Sequence, residues 1–217
     1  MERKKRLLPI ILVLSGLAAG ILIWSVVFAF TGFSFFVDSP RETRSADTPQ
    51  NADVIMLAYG VLENIRDEDF YALSQAVHPE FGVVFTPYVT INLPTDRRFS
   101  AEQIAALSLD EDVYIWGVRN DSGEPIELTP SGYFEQYVSA GSFLAAPVIG
   151  VNQIVRSGNA LENISEVFPD VEFVDFYLPG NGNDQNEEHA WSSLRLGFEE
   201  YEGGLRLIVI VHSRWTP

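Results

Sequence analysis

Cysteine is absent from all 217 residues. Its absence excludes disulfides, thiolate nucleophiles and every Cys-ligated metal site, so the fold must rest on an ordinary apolar core. Charge is absent from residues 7 to 37. From Leu7 to Phe30 that run holds 24 residues. As a helix it measures roughly 36 Å, enough to cross a hydrocarbon core of about 30 Å with some tilt. Basic charge is scarce beyond it, with 10 basic against 29 acidic residues after position 37. The first 37 residues carry +3 and the remainder −19. So acidic a domain repels phosphate backbones and anionic headgroups, which excludes nucleic acid as a partner. Catalytic motifs are missing as well. There is no His-Glu-x-x-His and no phosphate loop, and Gly180-Asn181-Gly182 lacks the third glycine of a dinucleotide fingerprint.

What is present first is an address. Arg3, Lys4, Lys5 and Arg6 precede the apolar run, so the positive-inside bias predicts a cytoplasmic tail at 1–6 and an extracytoplasmic remainder. A cleaved secretory signal is the competing reading, but its apolar region spans only about 7 to 15 residues. The run here is twice that and ends in Phe33, Phe35 and Phe36, suited to an interfacial belt. The expectation is a single-pass signal-anchor helix at 7–37 in the cell membrane, with the lipid bilayer as its partner. Leu17-Ala18-Ala19-Gly20 has the look of a lipoprotein processing site without the Cys that would carry lipid. Gly16 and Gly20 form a small-xxx-small pair that can dimerise such helices, although small residues are common in membrane helices anyway.

Residues 38–51 are polar, with two prolines, and read as a tether. The remaining 52–217 are one domain's worth of chain. Val54, Leu57, Ala58, Val61, Leu62 and Ile65 recur at helical spacing and predict a helix over 49–66. Asp67 is placed to cap a second, ended by His78-Pro79. Strand composition follows from Val83 to Ile91. Ser100 and Gln103 then form a capping box that starts a short helix to about Leu107. Residues 113–118 read as a strand, Asn120 to Gly123 as a tight turn, and Thr129-Pro130 as the start of a helix carrying Tyr133, Phe134, Tyr137 and Val138. Residues 148–155 and 171–178 read as strands. The chain closes on two strand-like runs, 191–201 and 205–215, joined across Glu202-Gly203-Gly204. Helices first and strands afterwards predict an α+β class.

Helices ending in His-Pro, then strands, then a long closing hairpin (Ser193 to Tyr201, Gly204 to His212) resemble the nuclear-transport-factor-2-like (NTF2-like) superfamily. The resemblance implies N-terminal helices packed on a curved antiparallel sheet, a cone whose cavity serves many unrelated purposes. Four strings are similar to a narrower group of uncharacterised extracytoplasmic domains, mostly Gram-positive bacterial. They are His78 to Tyr88 (HPEFGVVFTPY), Gly123 to Thr129, Gly150 to Ile154 and His212 to Thr216. This resemblance spans about His78 to Pro217, departs from the lipoprotein members in lacking the lipidated Cys, and implies fold and location rather than an activity.

Seven residues are candidates for lining a pocket: His78, Tyr88, Trp116, Asp175, Tyr177, Trp191 and His212. His212 lies on the last strand, on the side of Ile208, Ile210 and Arg214; it is a pocket acid/base or an edge histidine paired with a carboxylate. His78 closes a helix, where it can cap carbonyls. Tyr88, Trp116, Tyr177, Trp191 and also Tyr133 can wall a ligand site or fill an ordinary core. Asp175 shares a strand face with Phe173 and Tyr177; facing inward, it would pair a desolvated carboxylate with a phenol for proton transfer. The loop from Asn181 to Glu188 carries oxygen ligands but fails the EF-hand pattern, and His189 beside it reads as solvated. No metal or cofactor is called for. The expectation is a binding or assembly module with an extracytoplasmic ligand or protein partner. The alternative is a small-molecule isomerase or hydrolase using Asp175, Tyr177 or His212.

Overall fold

The computed structural model describes the backbone of residues 49–180 and 190–215. The anchor at 7–37 with its Gly16/Gly20 pair, the 38–48 part of the tether, the loop to Glu188 and His189 lie outside the described residues. Among those described, no helix is long and apolar enough to cross a membrane.

Helix α1 spans Pro49–Arg66, as its spacing predicts. Val54, Ala58, Val61, Leu62 and Ile65 form one buried stripe along it. The chain then reverses through Glu68, held at φ 56°. That reversal moves the next cap two residues on. Asp69, not Asp67, caps α2 (Phe70–Ala76) by accepting from the Ala72 N–H at 2.9 Å. Asp67 instead pairs with Arg66 at 2.8 Å on the surface.

Eight strands follow: β1 Val83–Thr86, β2 Arg97–Phe99, β3 Tyr114–Val118, β4 Pro125–Leu128, β5 Val148–Val151, β6 Glu172–Leu178, β7 Ser192–Tyr201 and β8 Gly204–Arg214. Six form one sheet in the order β2-β1-β8-β7-β6-β5, and β3 pairs with β4 alone. The sheet is mixed, not antiparallel as the resemblance implied, because β8 inserts between β7 and β1 and runs parallel to β1. Several elements are shorter than their composition suggests. The strand expected over 83–91 ends at Thr86, whose hydroxyl donates to the Tyr88 carbonyl at 2.8 Å, and the one expected over 148–155 ends at Val151.

Between these strands run α3 (Ala101–Ala105), α4 (Pro130–Tyr133), α5 (Ala140–Phe143) and α6 (Ile164–Val167). The capping box of Ser100 and Gln103 on α3 is complete in both directions. Thr129 caps α4, with Pro130 at its first position. Phe134–Val138 continues that helix as a π turn and ends at Ser139, a non-glycine residue in left-handed conformation at φ 41°.

The closing hairpin turns in two residues. Glu202 and Gly203, at φ 50° and 81°, both sit in the left-handed region, the turn whose twist matches the flanking strands. Further along, the β7–β8 register shifts between Gly197 and Phe198. Such a bulge bends the sheet. It also moves Ile208 to the opposite face from Leu207 and Ile210, so His212 does not share a side with Ile208.

Both faces of the sheet are buried. On one, α1, α2 and the π turn cover Phe85, Val174, Phe176, Leu194, Leu196 and Ile210. On the other, Val84, Phe173, Ile208, Val209 and Val211 pack under Ile91, Ile164 and Phe168. Asn163 holds that second cover in place: its side chain accepts from the Ile91 N–H at 2.8 Å and donates to the Ile91 carbonyl at 3.0 Å.

Candidate functional site

On the helix-covered face, the space where a cone cavity was expected is occupied by stacked rings. Trp116 and Tyr133 stack face to face with centroids 3.8 Å apart, and Tyr133 stacks on Tyr137 at 5.0 Å. Phe85 meets the edges of both Trp116 and Tyr133. Trp116 is fully buried and donates its indole N–H to the Leu128 carbonyl at 2.9 Å. It is a core residue rather than a pocket wall. Tyr88 is half-buried, and its hydroxyl accepts from the Asn120 N–H at 3.4 Å.

Beyond this stack an open cleft of about 360 Å³ lies at the end of β7 and β8. Its walls include Tyr137, Ser142, Trp191, His212, Arg214 and Trp215. His212 is buried, with Nδ1 3.2 Å from the Pro87 carbonyl and the ring edge-on to Tyr137 at 5.6 Å. No carboxylate pairs with it among the described residues, contrary to the edge-histidine expectation. Burial, reinforced by the Arg214 charge, pushes its pKa down to about 4 against the pull of Pro87. The imidazole is therefore neutral at pH 7, and Nδ1–H donates to Pro87. Tyr137 is buried too, and its Oη finds no partner in hydrogen-bond geometry. Burial and then the nearby Tyr88 raise its pKa.

Asp175 lies on the opposite face of the sheet. It is fully buried beside Arg195, directly across from it on β7. Arg195 donates to Glu162 at 2.7 Å and to Asp175 at 3.4 Å, and Asp175 also accepts from the Val155 N–H at 2.9 Å. Burial raises the Glu162 pKa, Arg195 lowers it and Asp175 raises it again. The triad carries two carboxylates for one cation. Asp175 is thus an ion-pair partner with no proton-transfer link to Tyr177, which packs near Trp191 at 6.3 Å between ring centroids. The sequence pattern does not single out Arg195 and Glu162. The signal available was an arginine inside Leu194-Arg195-Leu196, a charge amid strand-forming residues that needs a partner once buried.

His78 stands apart from both groups. Its Nδ1 accepts from the N–H groups of Glu80 and Phe81, at 3.2 and 3.0 Å, and its ring packs on Tyr201. It ties the turn before β1 to the closing hairpin, the reverse of capping carbonyls. Of the seven candidates, His212 and Trp191 meet at the cleft. Trp116 and Tyr88 sit behind it, Asp175 and Tyr177 across the sheet, and His78 at the hairpin turn. Among the described residues no group of three or more His, Asp or Glu is placed to hold a metal ion.

The depressed pKa of His212 has a measurable consequence. Unfolded, the ring would protonate near 6.5. Between pH 6.5 and 4 the unfolded chain binds a proton that the folded one does not, so His212 lowers stability as pH falls, by at most about 3 kcal/mol. Asp96 works the other way, because burial holds its pKa up at about 6 and favours the folded form as pH falls. Melting temperatures from pH 7 to 4 should fall less for His212→Gln than for the parent chain. Equal slopes would show that the ring is not held neutral.

No family model matches the chain, and no curated protein does. Among solved structures it is similar to Aln2 from a Streptomyces species, with 12% identity over 76% of this chain and 90% of that one, at a TM-score of 0.36. It is also similar to an NTF2-like protein of unknown function from Shewanella oneidensis, with 14% identity over 76% and 99% and a TM-score of 0.34. A third, an NTF2-like protein of unknown function from Pseudomonas putida, shows 12% identity over 76% and 86% at 0.31. The last two carry the NTF2-like name in their own descriptions.

Proposed function

We propose that this chain is a non-catalytic binding and assembly module, held by residues 7–37 at the outer face of a cell membrane. The observation that supports it best is the separation of the candidate catalytic groups. Asp175 and His212 lie on opposite faces of a sheet whose helix side is filled with rings, so these two groups do not converge on one substrate. What the domain does offer is an apolar strip. Leu109, Val113, Ile115 and Val118 are each more than half exposed along β3 and the turn before it. Asp110, Glu111 and Asp112 lie between Leu109 and Val113 in the chain, Glu127 stands opposite Ile115, and Arg119 is the one basic neighbour in sequence. Exposed apolar strips on sheet elements mark partner sites. The acidic rim repels a second copy and an anionic lipid surface alike and selects a basic, extended segment of a partner protein.

Because the chain has no cysteine, a single introduced thiol tests place and partner together. In intact cells a membrane-impermeant maleimide should label Leu161→Cys, on an exposed loop away from the strip. It should label Ile115→Cys several-fold more slowly, while the purified chain in detergent labels equally at both. Labelling of neither variant until lysis would refute the outer location. Equal labelling in cells would refute an occupied β3 strip.

A further inference from the structure

A second cleft, of about 490 Å³, lies between the reversal that joins α1 to α2, the turn after α3, and α4 with its π turn. Ile65, Phe70, Leu107 and Phe134 give it an apolar floor, the rings of Phe70 and Phe134 meeting edge to face at 5.6 Å. Glu68, Glu111 and Glu135 stand exposed on its walls. None of these three makes an ion pair among the described residues. The one cation among the lining residues, Arg66, is committed to Asp67 through two hydrogen bonds of 2.8 Å. Carboxylates are common over this acidic chain, so charge alone does not single the place out. An apolar recess with carboxylates at its mouth does, because floor and rim call for different halves of one ligand.

The cleft is also continuous with the β3 strip. Ser108 and Asp110 line it, and Leu109 between them is 86% exposed. Asp110 braces the chain that leads into β3. Its Oδ1 accepts from the Asp112 N–H at 3.0 Å and its Oδ2 from the Tyr114 hydroxyl at 2.8 Å. Tyr114 in turn stands between Val113 and Ile115 of the strip. A segment that covers Val113 and Leu109 therefore ends at the edge of the cleft.

We infer that the partner segment proposed for the β3 strip inserts an arginine side chain into this cleft, an assignment that rests on that reading of the strip. The methylene stem lies on the apolar floor and the guanidinium stays at the rim among Glu68, Glu111 and Glu135. Arginine suits both halves. Its head is weakly hydrated, planar and always charged, so it pairs with carboxylates and packs on rings such as Phe70 and Phe134. A lysine brings a compact, strongly hydrated charge with no planar face.

Titration of the full chain in zwitterionic detergent micelles with N-acetylarginine amide tests the cleft without the partner. The probe should bind roughly tenfold more tightly than N-acetylcitrulline amide, which keeps the shape and lacks the charge. It should exceed methylguanidinium, which keeps the charge and lacks the stem, by a similar factor. Glu68→Gln, Glu111→Gln and Glu135→Gln together, all at exposed positions, should weaken the probe about tenfold with little change in melting temperature. Glu166→Gln, Glu200→Gln and Glu202→Gln together make the same charge change at exposed positions outside the cleft and should leave binding within about twofold. Equal binding of the citrulline compound would overturn the inference, as would equal losses in the two triple variants. A cysteine at the rim separates the cleft from the strip. In intact cells Ser131→Cys should label as slowly as Ile115→Cys. Slow labelling at Ile115→Cys with fast labelling at Ser131→Cys would overturn the arginine and leave the strip reading standing. Fast labelling at both would overturn the two together.

Discussion

Arg195→Ala is expected to destabilise the domain by about 3–5 kcal/mol, the usual consequence of removing one partner from a buried ion pair. The parent triad is already short of positive charge, and both carboxyl groups keep one oxygen unpartnered. Without the guanidinium, Asp175 and Glu162 are like charges in a desolvated site. Glu162, already pushed up by burial, loses the Arg195 charge that holds its pKa down. For a domain of this size the loss corresponds to a melting temperature lower by roughly 10 °C at pH 7. A Glu162 pKa raised further in the folded variant means that the folded form binds a proton the unfolded one has lost, so stability returns as pH falls toward the unfolded carboxyl range. The deficit should therefore narrow between pH 7 and 5. Replacing all three groups by apolar residues, as Arg195→Met, Asp175→Leu and Glu162→Leu together, should recover much of it. A single Arg195→Ala variant within about 1 kcal/mol of the parent would mean that water already screens the triad.

The second large effect is expected at Trp116. Truncation to alanine removes a fully buried indole together with its stack on Tyr133, and such changes cost about 3–5 kcal/mol. It also strips the Leu128 carbonyl of its donor. Trp116→Phe keeps most of the ring contact and should cost less than half as much. The comparison separates two roles for the same residue. A pocket wall can be truncated with little loss of stability and a large change in ligand affinity; a core ring behaves the other way round. Denaturant unfolding of both variants decides it, and an alanine variant as stable as the parent would return Trp116 to the pocket side.

How much of this was written plainly in the chain depends on the range of the interaction. Helix α1, the capping box at Ser100 and Gln103, and the closing hairpin are local patterns, and each was read within a few residues of its position. Strand β2 was missed because Arg97-Arg98-Phe99 does not look like a strand. Its two guanidiniums lie over the rings of Tyr114 and Phe81, contacts far along the chain that the residues themselves do not announce. β4 begins with Pro125 and pairs only with β3, so its composition also hid it. The site was less legible still. Period-two alternation placed Asp175 correctly with Phe173 and Tyr177, but which face that was depended on strand order. The bulge at Gly197 then broke the alternation that had put Ile208 beside His212. A Cβ on Gly197 would come within 2.6 Å of Val209, so a lone glycine in a strand was the available trace of that close approach.

Strand β8 occupies the middle of the sheet although it comes last in chain order among the described strands. β1 waits for a neighbour more than a hundred residues downstream, and β7 acquires its second edge only when residues 204–214 arrive. Until then β2 and β1 are separated from β7, β6 and β5 by an empty lane. Pairings of such long sequence separation are closed late and slowly. A chain emerging in order, from a ribosome or through a pore, therefore has β2 and β1 made long before the strand that joins them to β7. The final hairpin is the latch of this domain, and maturation is timed by it.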